Sequence, residues 1–362
     1  MTQANLKTQS WYFPTADSAW ELIDPEAAGW DKKALEKAIN FAGACRSTGV
    51  VILHRGRIMA ERYWSYGEKT AEEPEEPSEA IFKIMQCGFD SHGRPIEDVA
   101  SVQKSFTAVL ACLARQKGYL SFDNSITEHL GKGWSEAPPE AEEKITIRHL
   151  MSMTSGLDDK LTFQAPPGKK WLYNTQVYQH LIRVIAAASG KNYQTLTSKW
   201  LSDLIGLENT AWIERKWAPK MGRVKMLGLA ATARDLARFG LFVMAGGKWG
   251  PTEIVTDRKC LLEILRPSQQ LNPSYGYLWW LNGQKRFMAL SQEEPSEGPL
   301  VASAPPDLVA GFGALDRKLY IVPSLELVIS RLGNRATSTV QGTRSSFDND
   351  WWKLLSAAAP KV

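Results

Sequence analysis

Ser101 and Lys104 are the two residues whose types and spacing point most directly to chemistry in this 362-residue sequence. They lie three residues apart at the start of a predicted helix, so both side chains share one face within a single turn. A serine hydroxyl becomes a nucleophile when a base takes its proton, and a lysine whose charge is disfavoured can be that base. The alternative is structural: Ser101 caps the helix, and Lys104 is solvated one turn later.

The helix that must position this pair is predicted from hydrophobic spacing. Apolar residues recur at intervals close to 3.6 after Ser101, and Gly118 ends the pattern. The apolar positions are Phe106, Val109, Leu110, Leu113 and Ala114. We therefore expect the hydroxyl and the ammonium to lie near the positive end of a buried helix.

Tyr173, Asn174 and Thr175 form a second candidate segment, just ahead of a helix predicted at 176–189. A loop tyrosine can direct its hydroxyl at a Ser–Lys pair and relay a proton to a leaving group. The commoner role is that of a packed tyrosine whose hydroxyl is satisfied by the protein. The segment alone does not decide between the two roles.

Gly311 and Gly313 form a third candidate segment with Phe312, shortly before a predicted strand. Glycines beside an edge strand let a backbone approach a ligand closely. A backbone N–H there, together with that of Ser101, would make an oxyanion hole. The alternative is a β-bulge or a tight turn, and glycines alone fit that equally well.

Together these segments resemble the three motifs of the β-lactamase and penicillin-binding serine hydrolase superfamily. Residues 101–104 match its Ser-x-x-Lys motif, and residues 173–175 stand where it has Tyr-x-Asn or Tyr-Ser-x. Further segments that recur in this group follow in the right order, at 145–157, 232–240 and 275–280. The resemblance runs from about residue 30 to the end of the chain. It is strongest to the branch that holds class C β-lactamases, esterases and 6-aminohexanoate-dimer hydrolases.

This resemblance implies a role for each candidate residue. Ser101 is expected to be the acylated nucleophile, Lys104 its proton acceptor, and Tyr173 the third member of the acid/base group. The N–H groups of Ser101 and Ala314 are expected to form the oxyanion hole. The implied activity is hydrolysis of a carboxylic ester or amide through an acyl-enzyme, without a metal or a cofactor.

Thr175, Gly313, Trp279 and Trp280 are the candidates for substrate binding. Thr175 takes the third position of the tyrosine motif, where the resembled group often has Asn, and Gly313 lies in the third motif. The two tryptophans are expected to line a hydrophobic acyl pocket. Because neighbouring side chains on a strand face opposite ways, we expect at least one of them in the core.

The sequence departs from the resembled pattern at the third motif, which usually reads Lys-Thr-Gly or His-Thr-Gly. Residues 311–313 carry no cation, so the charged hydrogen bond to a substrate carboxylate is missing from its usual place. This favours an uncharged ester or amide, with β-lactamase or D-amino-acid peptidase activity as the alternative. Arg331 is a second possible source of a cation. A further alternative is a catalytically silent homologue that binds a ligand. The presence of Ser101, Lys104 and Tyr173 together argues against this alternative.

The composition of the chain restricts the classes of partner that we expect it to bind. The chain is 44% hydrophobic and 23% charged, and its net charge of +4 comes from mixed signs. No basic stripe indicates a nucleic-acid partner, and no apolar run reaches the 18 residues of a membrane span. The five histidines show no metal-ligand spacing. A small-molecule ester or amide is therefore the expected partner.

The four cysteines are widely spaced and form no C-x-x-C motif: Cys45, Cys87, Cys112 and Cys260. This pattern predicts free thiols in a reducing compartment. The first twenty residues hold no apolar run of signal-peptide length. Both observations predict a cytoplasmic location.

Hydrophobic patterning places strands near both ends and helices between them. Hairpins are predicted at 50–64 and 319–331, a strand at 275–281, helices at 31–42, 232–242 and 346–359, and a polar surface loop at 66–95. The predicted fold class is α/β (α+β), with an antiparallel sheet built from both termini, flanked by helices, and an inserted mostly helical domain. The predicted division is 1–100 with 241–362 for the sheet and 101–240 for the helices, with the active site in the cleft between them.

Overall fold

The computed structural model describes residues 11–15, 19–65, 77–215, 218, 225–290, 292, 294–336, 340–341 and 344–360. The α-helices are α1 (Lys32–Ala44), α2 (Pro77–Met85), α3 (Gln103–Gln116), α4 (Ile126–Leu130), α5 (Pro139–Glu142), α6 (Ile147–Met151), α7 (Thr175–Ser189), α8 (Tyr193–Thr197), α9 (Asp203–Ile205), α10 (Ala233–Met244), α11 (Arg258–Ile264) and α12 (Ser346–Ala358). A π-helical turn spans Ser198–Ser202, and 3₁₀ turns span Glu26–Ala28, Ala100–Val102, Ala314–Asp316 and Pro323–Leu325.

The strands are β1 (Ser47–His54), β2 (Arg57–Tyr63), β3 (Gln86–Phe89), β4 (Pro95–Asp98), β5 (Ala211–Glu214), β6 (Leu227–Ala231), β7 (Lys248–Trp249), β8 (Thr252–Glu253), β9 (Trp280–Leu281), β10 (Arg286–Phe287), β11 (Ser296–Glu297), β12 (Val309–Gly313), β13 (Arg317–Val322), β14 (Leu327–Gly333), β15 (Val340–Gln341) and β16 (Arg344–Ser345).

An antiparallel sheet of six strands joins the two ends of the chain, in the order β2-β1-β14-β13-β12-β9. The hairpin β1–β2 near the N-terminus meets the hairpin β13–β14 near the C-terminus, and Ile52 pairs with Ile329 between them. Strands β1 and β14 are buried along nearly their whole length, so both faces of the sheet are covered. The predicted α+β fold, with its sheet built from both termini, is confirmed.

The two faces of this sheet pack against different helices. Side chains of β13 point alternately to one face and to the other, and they contact different helices on the two sides. Helix α10 approaches Leu319 and Ile321, and a Cβ on its Gly240 would lie 2.5 Å from a methyl group of Val328. The ring of Tyr320, which points to the other face, contacts tryptophan rings of α12. Helix α12 in turn packs on α1. The sheet is therefore a middle layer, with α10 on one side and α1 and α12 on the other.

A second antiparallel sheet has the order β3-β4-β6-β5. Its strands come from residues 86–98 and 211–231, so it links two distant parts of the chain. The predicted surface loop at 66–95 is wrong from residue 77 onward, where α2 and β3 form, and residues 66–76 lie outside the described residues. Since β4 ends directly before the 3₁₀ turn 100–102, this second sheet positions the candidate nucleophile.

Cys112 and Cys260 form a disulfide that links α3 to α11, with Cα atoms 5.7 Å apart. The prediction of four free thiols is therefore wrong for this pair, while Cys45 and Cys87 are free. The two bonded cysteines are 148 residues apart, and no short-range pattern brings them together. The disulfide also removes the inference from free thiols to a reducing compartment.

The longest helix that the structure describes is α7, with 15 residues. Across the described ranges no helix combines the length and the apolar character that crossing a bilayer requires. In the same ranges no three His, Cys, Asp or Glu side chains gather as a metal site.

Candidate active site

Ser101 lies in the 3₁₀ turn Ala100–Val102 that leads into α3. Asp98 stabilises this turn, because its carboxylate accepts the N–H of Ala100 at 2.9 Å. Ala100 has a φ of +51°, a left-handed conformation that is unusual for a residue with a side chain. The predicted helix is thus present, but it begins as a tight turn that leaves Ser101 partly exposed while Lys104 is buried.

Lys104 lies one turn below Ser101, and its Nζ is 2.9 Å from the Ser101 Oγ. The same Nζ is 3.3 Å from the Oγ1 of Thr175, at the first position of α7. The aromatic rings of Tyr173 and Tyr178 enclose it, with centroids 4.9 and 4.7 Å away. The amine is therefore held by hydroxyls and aromatic faces at the nucleophile.

Burial lowers the pKa of Lys104 well below its usual range, and the positive charge of Arg215 lowers it further. The charge of Asp98 opposes this effect, because a nearby carboxylate stabilises the ammonium form. Desolvation is the larger influence, so the neutral form of the amine is stabilised relative to that of an exposed lysine. A neutral amine 2.9 Å from a hydroxyl can accept its proton, which is the role the sequence predicts for Lys104.

Tyr173 reaches the same serine from the loop that precedes α7. Its neighbour Asn174 fixes that loop: the side chain of Asn174 caps α7 at the N–H of Val177, and its amide donates to the carbonyl of Leu157 at 3.0 Å. Burial raises the pKa of Tyr173, so the phenol is protonated at neutral pH and can act as a donor. The Ser101 side chain lies close enough to the Tyr173 hydroxyl to lower the pKa of that phenol, against the larger effect of burial.

A buried ion pair supports the turn from the second sheet. Arg215, directly after β5, donates from Nε and Nη2 to the two carboxylate oxygens of Asp98, at 2.6 and 2.7 Å. A further Nη2 contact of 3.2 Å reaches the side chain of Gln103, the first residue of α3. Both charged side chains are almost fully buried. Arg215 thus connects β5, the end of β4 and the start of the nucleophile helix.

Gly311 and Gly313 lie on β12, whose edge packs against the nucleophile turn. A Cβ on Gly313 would lie 2.6 Å from the carbonyl oxygen of Val99, so only glycine allows this close approach. Ala314 follows as the exposed first residue of a 3₁₀ turn. N–H groups in the first turn of a helix have no partner within it, and this holds for Ala314 as for Ser101. The glycines thus bring β12, the strand that leads to Ala314, against the turn that carries Ser101.

The two tryptophans of the predicted acyl pocket have different environments. Trp280 stacks on the ring of Tyr173, with centroids 5.8 Å apart, and on that of Phe312 at 5.9 Å. Trp279 has no exposed surface and stacks on Phe239 of α10. The structure therefore places Trp279 in the core, as the sequence predicts for at least one of the pair, and places Trp280 beside Tyr173, a candidate catalytic residue.

Arg331 does not provide a cation for the substrate. It is fully buried, and it donates to the carbonyls of Asp316 and Cys45, each at 2.7 Å. Leu315 and Asp316 both have positive φ, so this side chain holds the strained turn that follows Ala314. The suggestion of a second carboxylate-binding cation at Arg331 is wrong, and its role is structural.

Tyr178, Arg215 and Asp98 are the site residues that sequence reasoning missed. Tyr178 lies one turn beyond Thr175 on α7, so helical spacing from the tyrosine motif is a signal that would have found it. Arg215 and Asp98 are 117 residues apart and belong to no motif. Only the pairing of β4 with β6, and of β6 with β5, brings them together.

The chain belongs to the beta-lactamase family, whose model matches residues 33–343. It is 24% identical to an uncharacterised protein of Alkalihalophilus pseudofirmus over 66% of this chain and 71% of that protein. The family match confirms the resemblance that residues 101–104 and 173–175 indicated, and with it the general class of serine hydrolase.

Solved structures that share this fold include two hydrolases. One is a class C β-lactamase from Rhodobacter sphaeroides, with a TM-score of 0.57 and 16% identity over 90% of this chain and 98% of that chain. The other is EstCE1, a hydrolase with promiscuous acyltransferase activity, with a TM-score of 0.60 and 13% identity over 91% and 97% of the two chains. At these identities the likeness concerns the fold.

Proposed function

We propose that this protein hydrolyses a carboxylic ester or amide through an acyl-enzyme on Ser101, with Lys104 and Tyr173 as its acid/base group. The observation that carries the proposal is one contact: the Lys104 Nζ lies 2.9 Å from the Ser101 Oγ. The Tyr173 phenol lies beside the same serine, whose side chain lowers the pKa of that phenol against the larger effect of burial. A base and a proton donor thus meet at one nucleophile, as covalent catalysis requires.

In acylation, neutral Lys104 takes the proton of Ser101 as Oγ attacks the substrate carbonyl carbon. The carbonyl π bond opens, and its oxygen becomes an oxyanion between the N–H groups of Ser101 and Ala314. When the tetrahedral intermediate collapses, the bond to the leaving group breaks and Tyr173 gives that group a proton. Lys104 restores the phenol, so the proton passes from serine to leaving group and no net charge is left behind.

In deacylation, a water molecule takes the place of the leaving group. It loses a proton to the acid/base pair as it attacks the acyl carbonyl, and the second intermediate collapses with cleavage of the bond to Ser101. The serine oxygen recovers a proton, and a carboxylic acid is released. None of these steps draws on a metal ion or a redox cofactor.

An uncharged group next to the scissile bond is the best match to this site. Residues 311–313 of β12 carry no cation, and the buried Arg331 is engaged by backbone carbonyls. Desolvating a carboxylate without a partner is costly. The alternative within the family is β-lactam or D-amino-acid peptide hydrolysis, since the Yersinia pestis relative with 15% identity and a TM-score of 0.58 is a β-lactamase/D-alanine carboxypeptidase.

The proposal is tested with a panel of short-chain nitrophenyl esters, anilides and a cephalosporin. Ser101→Ala is expected to abolish turnover and leave the thermal melt unchanged, and a fluorophosphonate is expected to label Ser101 in the wild type. Ser91→Ala, on the exposed β3–β4 loop, is the matched control. Retained turnover in Ser101→Ala, or peptide mapping that places the label elsewhere, discards the mechanism. Failure of the wild type to cleave any substrate favours a silent ligand-binding homologue.

A further inference from the structure

A cavity of about 700 Å³ opens beside the loop that carries Tyr173. Its volume lies in the range of about 300–1,000 Å³ that small-molecule sites occupy. Trp171 forms part of its wall, and the Trp171 ring lies 6.5 Å from that of Tyr173 and 6.2 Å from that of Trp280. One aromatic side chain therefore belongs both to this cavity and to the ring cluster of the candidate active site.

The cavity combines an apolar wall with an excess of positive charge. Its apolar residues are Trp171, Leu172, Leu271, Met288 and Pro295. Its cations are Lys169, Lys170 and Arg286, against one acidic residue, Glu294. Among the described residues, no carboxylate lies within 4.0 Å of these three cations.

Arg286 is held at the cavity wall by a hydrogen bond to the backbone. One of its terminal nitrogens donates to the carbonyl of Gln270 at 2.9 Å, which steadies the guanidinium at the cavity wall. A guanidinium presents a planar fork of donors that matches a carboxylate or a phosphate. Lys169 and Lys170 add two mobile positive charges at the same wall.

We propose that this cavity binds an amphipathic carboxylate, with its head group at Arg286 and its hydrocarbon chain against Trp171 and Met288. The choice of a carboxylate over a phosphate rests on the proposed function, because hydrolysis of the acyl-enzyme releases a carboxylic acid. The missing cation at residues 311–313 fits this arrangement. A substrate carboxylate remote from the scissile bond would pair with Arg286 in this cavity. A carboxylate beside the scissile bond would find no cation at residues 311–313.

The test is calorimetric titration of the whole wild-type protein with octanoate, octanamide and octyl phosphate. Octanoate is expected to bind about tenfold more tightly than octanamide, since hydrogen bonds to charged groups are the stronger ones. Arg286→Gln is expected to remove most of that preference. Lys285→Gln removes the same charge from the next residue, which is exposed and does not line the cavity, and should keep it.

Equal binding of octanoate and octanamide, or an unchanged preference in Arg286→Gln, overturns the inference. Tighter binding of octyl phosphate than of octanoate overturns the choice of a carboxylate. Octanoate and octyl phosphate contain no ester or amide bond, and octanamide is also titrated into Ser101→Ala, so that the measured preference does not depend on turnover. If the wild type hydrolyses nitrophenyl esters but does not bind octanoate, only this inference is overturned. If it binds octanoate but hydrolyses no ester, only the proposed function is overturned.

Discussion

Arg215 donates hydrogen bonds to both carboxylate oxygens of Asp98, at 2.6 and 2.7 Å, next to the turn that carries the candidate nucleophile. The same carboxylate accepts the N–H of Ala100, the residue before Ser101, which has a positive φ. Breaking a buried pair by removing one partner leaves an uncompensated charge. The pair therefore both fixes the nucleophile turn and sets the electrostatic field at Lys104.

Replacement of Arg215 is expected to move the pH dependence of turnover. The charge of Arg215 disfavours the ammonium form of Lys104, so its loss raises the pKa of that lysine. The neutral amine is then reached only at higher pH, and the rising limb of kcat/KM should shift upward. The measurement is a pH–rate profile of Arg215→Gln with a nitrophenyl ester.

Arg215→Lys is the matched control, since it keeps the positive charge and loses the two-pronged contact. If Arg215 has only a structural role, both variants should be less active, and the rising limb of their pH–rate profiles should stay at the wild-type pH. If Arg215→Gln and Arg215→Lys share the wild-type limb, the electrostatic role is refuted.

The wild-type profile tests Lys104 itself. Burial lowers its pKa, and the reactive form is the neutral one, so activity should rise with pH through a group that titrates below the free-lysine value of about 10.4. The check is kcat/KM from pH 5 to 10, with chemistry shown to be rate-limiting by an independent change of leaving group. A limb that is still rising at pH 10, as expected for a free lysine, counts against a desolvated Lys104 as the base.

Local signals predicted those elements whose ends are fixed by their own residues. Asp31 caps α1 at the N–H of Ala34, and Gly190 ends α7 with the left-handed conformation expected of it. The hairpins at 50–64 and 319–331 formed because their turn residues and apolar runs agree. The Ser–Lys contact was equally local, since one helical turn joins the two residues.

The parts that depend on distant residues were not predictable in this way. The strand expected at 275–281 is reduced to Trp280–Leu281, because Leu278 has a φ of +63° and the chain folds back so that Tyr275 bridges Trp280. The Arg215–Asp98 pair and the Cys112–Cys260 disulfide span 117 and 148 residues. Such contacts follow from the completed fold and leave no mark on local spacing.

The Cys112–Cys260 disulfide should contribute to stability because it closes a long loop in the unfolded chain. In the chain-entropy model a separation of 148 residues corresponds to about 5 kcal/mol of unfolding free energy. Denaturant unfolding of the Cys112→Ala/Cys260→Ala double variant should show a loss of that order. Cys87→Ser, at an exposed free thiol, is the control and should show little change.

Thiol counting provides a direct check of the same bond. Alkylation of the denatured protein should modify two cysteines, Cys45 and Cys87, before reduction and all four after it. Four modified cysteines without reductant would show that the bond is absent from the purified protein.

Gly313 should tolerate no side chain. A Cβ there would lie 2.6 Å from the carbonyl oxygen of Val99, a backbone atom that can move only if β12 and the nucleophile turn separate. Gly313→Ala is expected to cost about 1–3 kcal/mol of stability and to lower kcat about tenfold or more, since it displaces Ala314 from Ser101.

Gly311→Ala is the comparison on the same strand. Its Cβ would meet side-chain atoms of Val102 and Ser105 at 3.1 and 3.2 Å, which can shift, so the loss should be smaller. The two variants are compared by chemical denaturation and by kcat on one ester. A larger loss at Gly311 would contradict the account of close packing at Gly313.

Substrate class is the widest prediction. No cation lies on residues 311–313, and Arg331 is bound to backbone carbonyls, so a carboxylate beside the scissile bond would lose its solvation without gaining a partner. An uncharged acyl group beside Trp280 loses no such solvation. Short-chain nitrophenyl esters should therefore exceed cephalosporins in kcat/KM by about a hundredfold, which is about 2.7 kcal/mol of transition-state discrimination.

The comparison is made with one enzyme preparation, with Ser101→Ala as the blank for both substrates. Because an activated ester is also the more reactive compound in water, each kcat/KM is divided by the uncatalysed hydrolysis rate before the ratio is taken. A cephalosporin that matches the best ester after this correction contradicts the inference from the missing cation. Arg215, a buried cation whose charge acts on Lys104, would then be the residue to re-examine, since Arg331 donates to backbone carbonyls in the turn after Ala314.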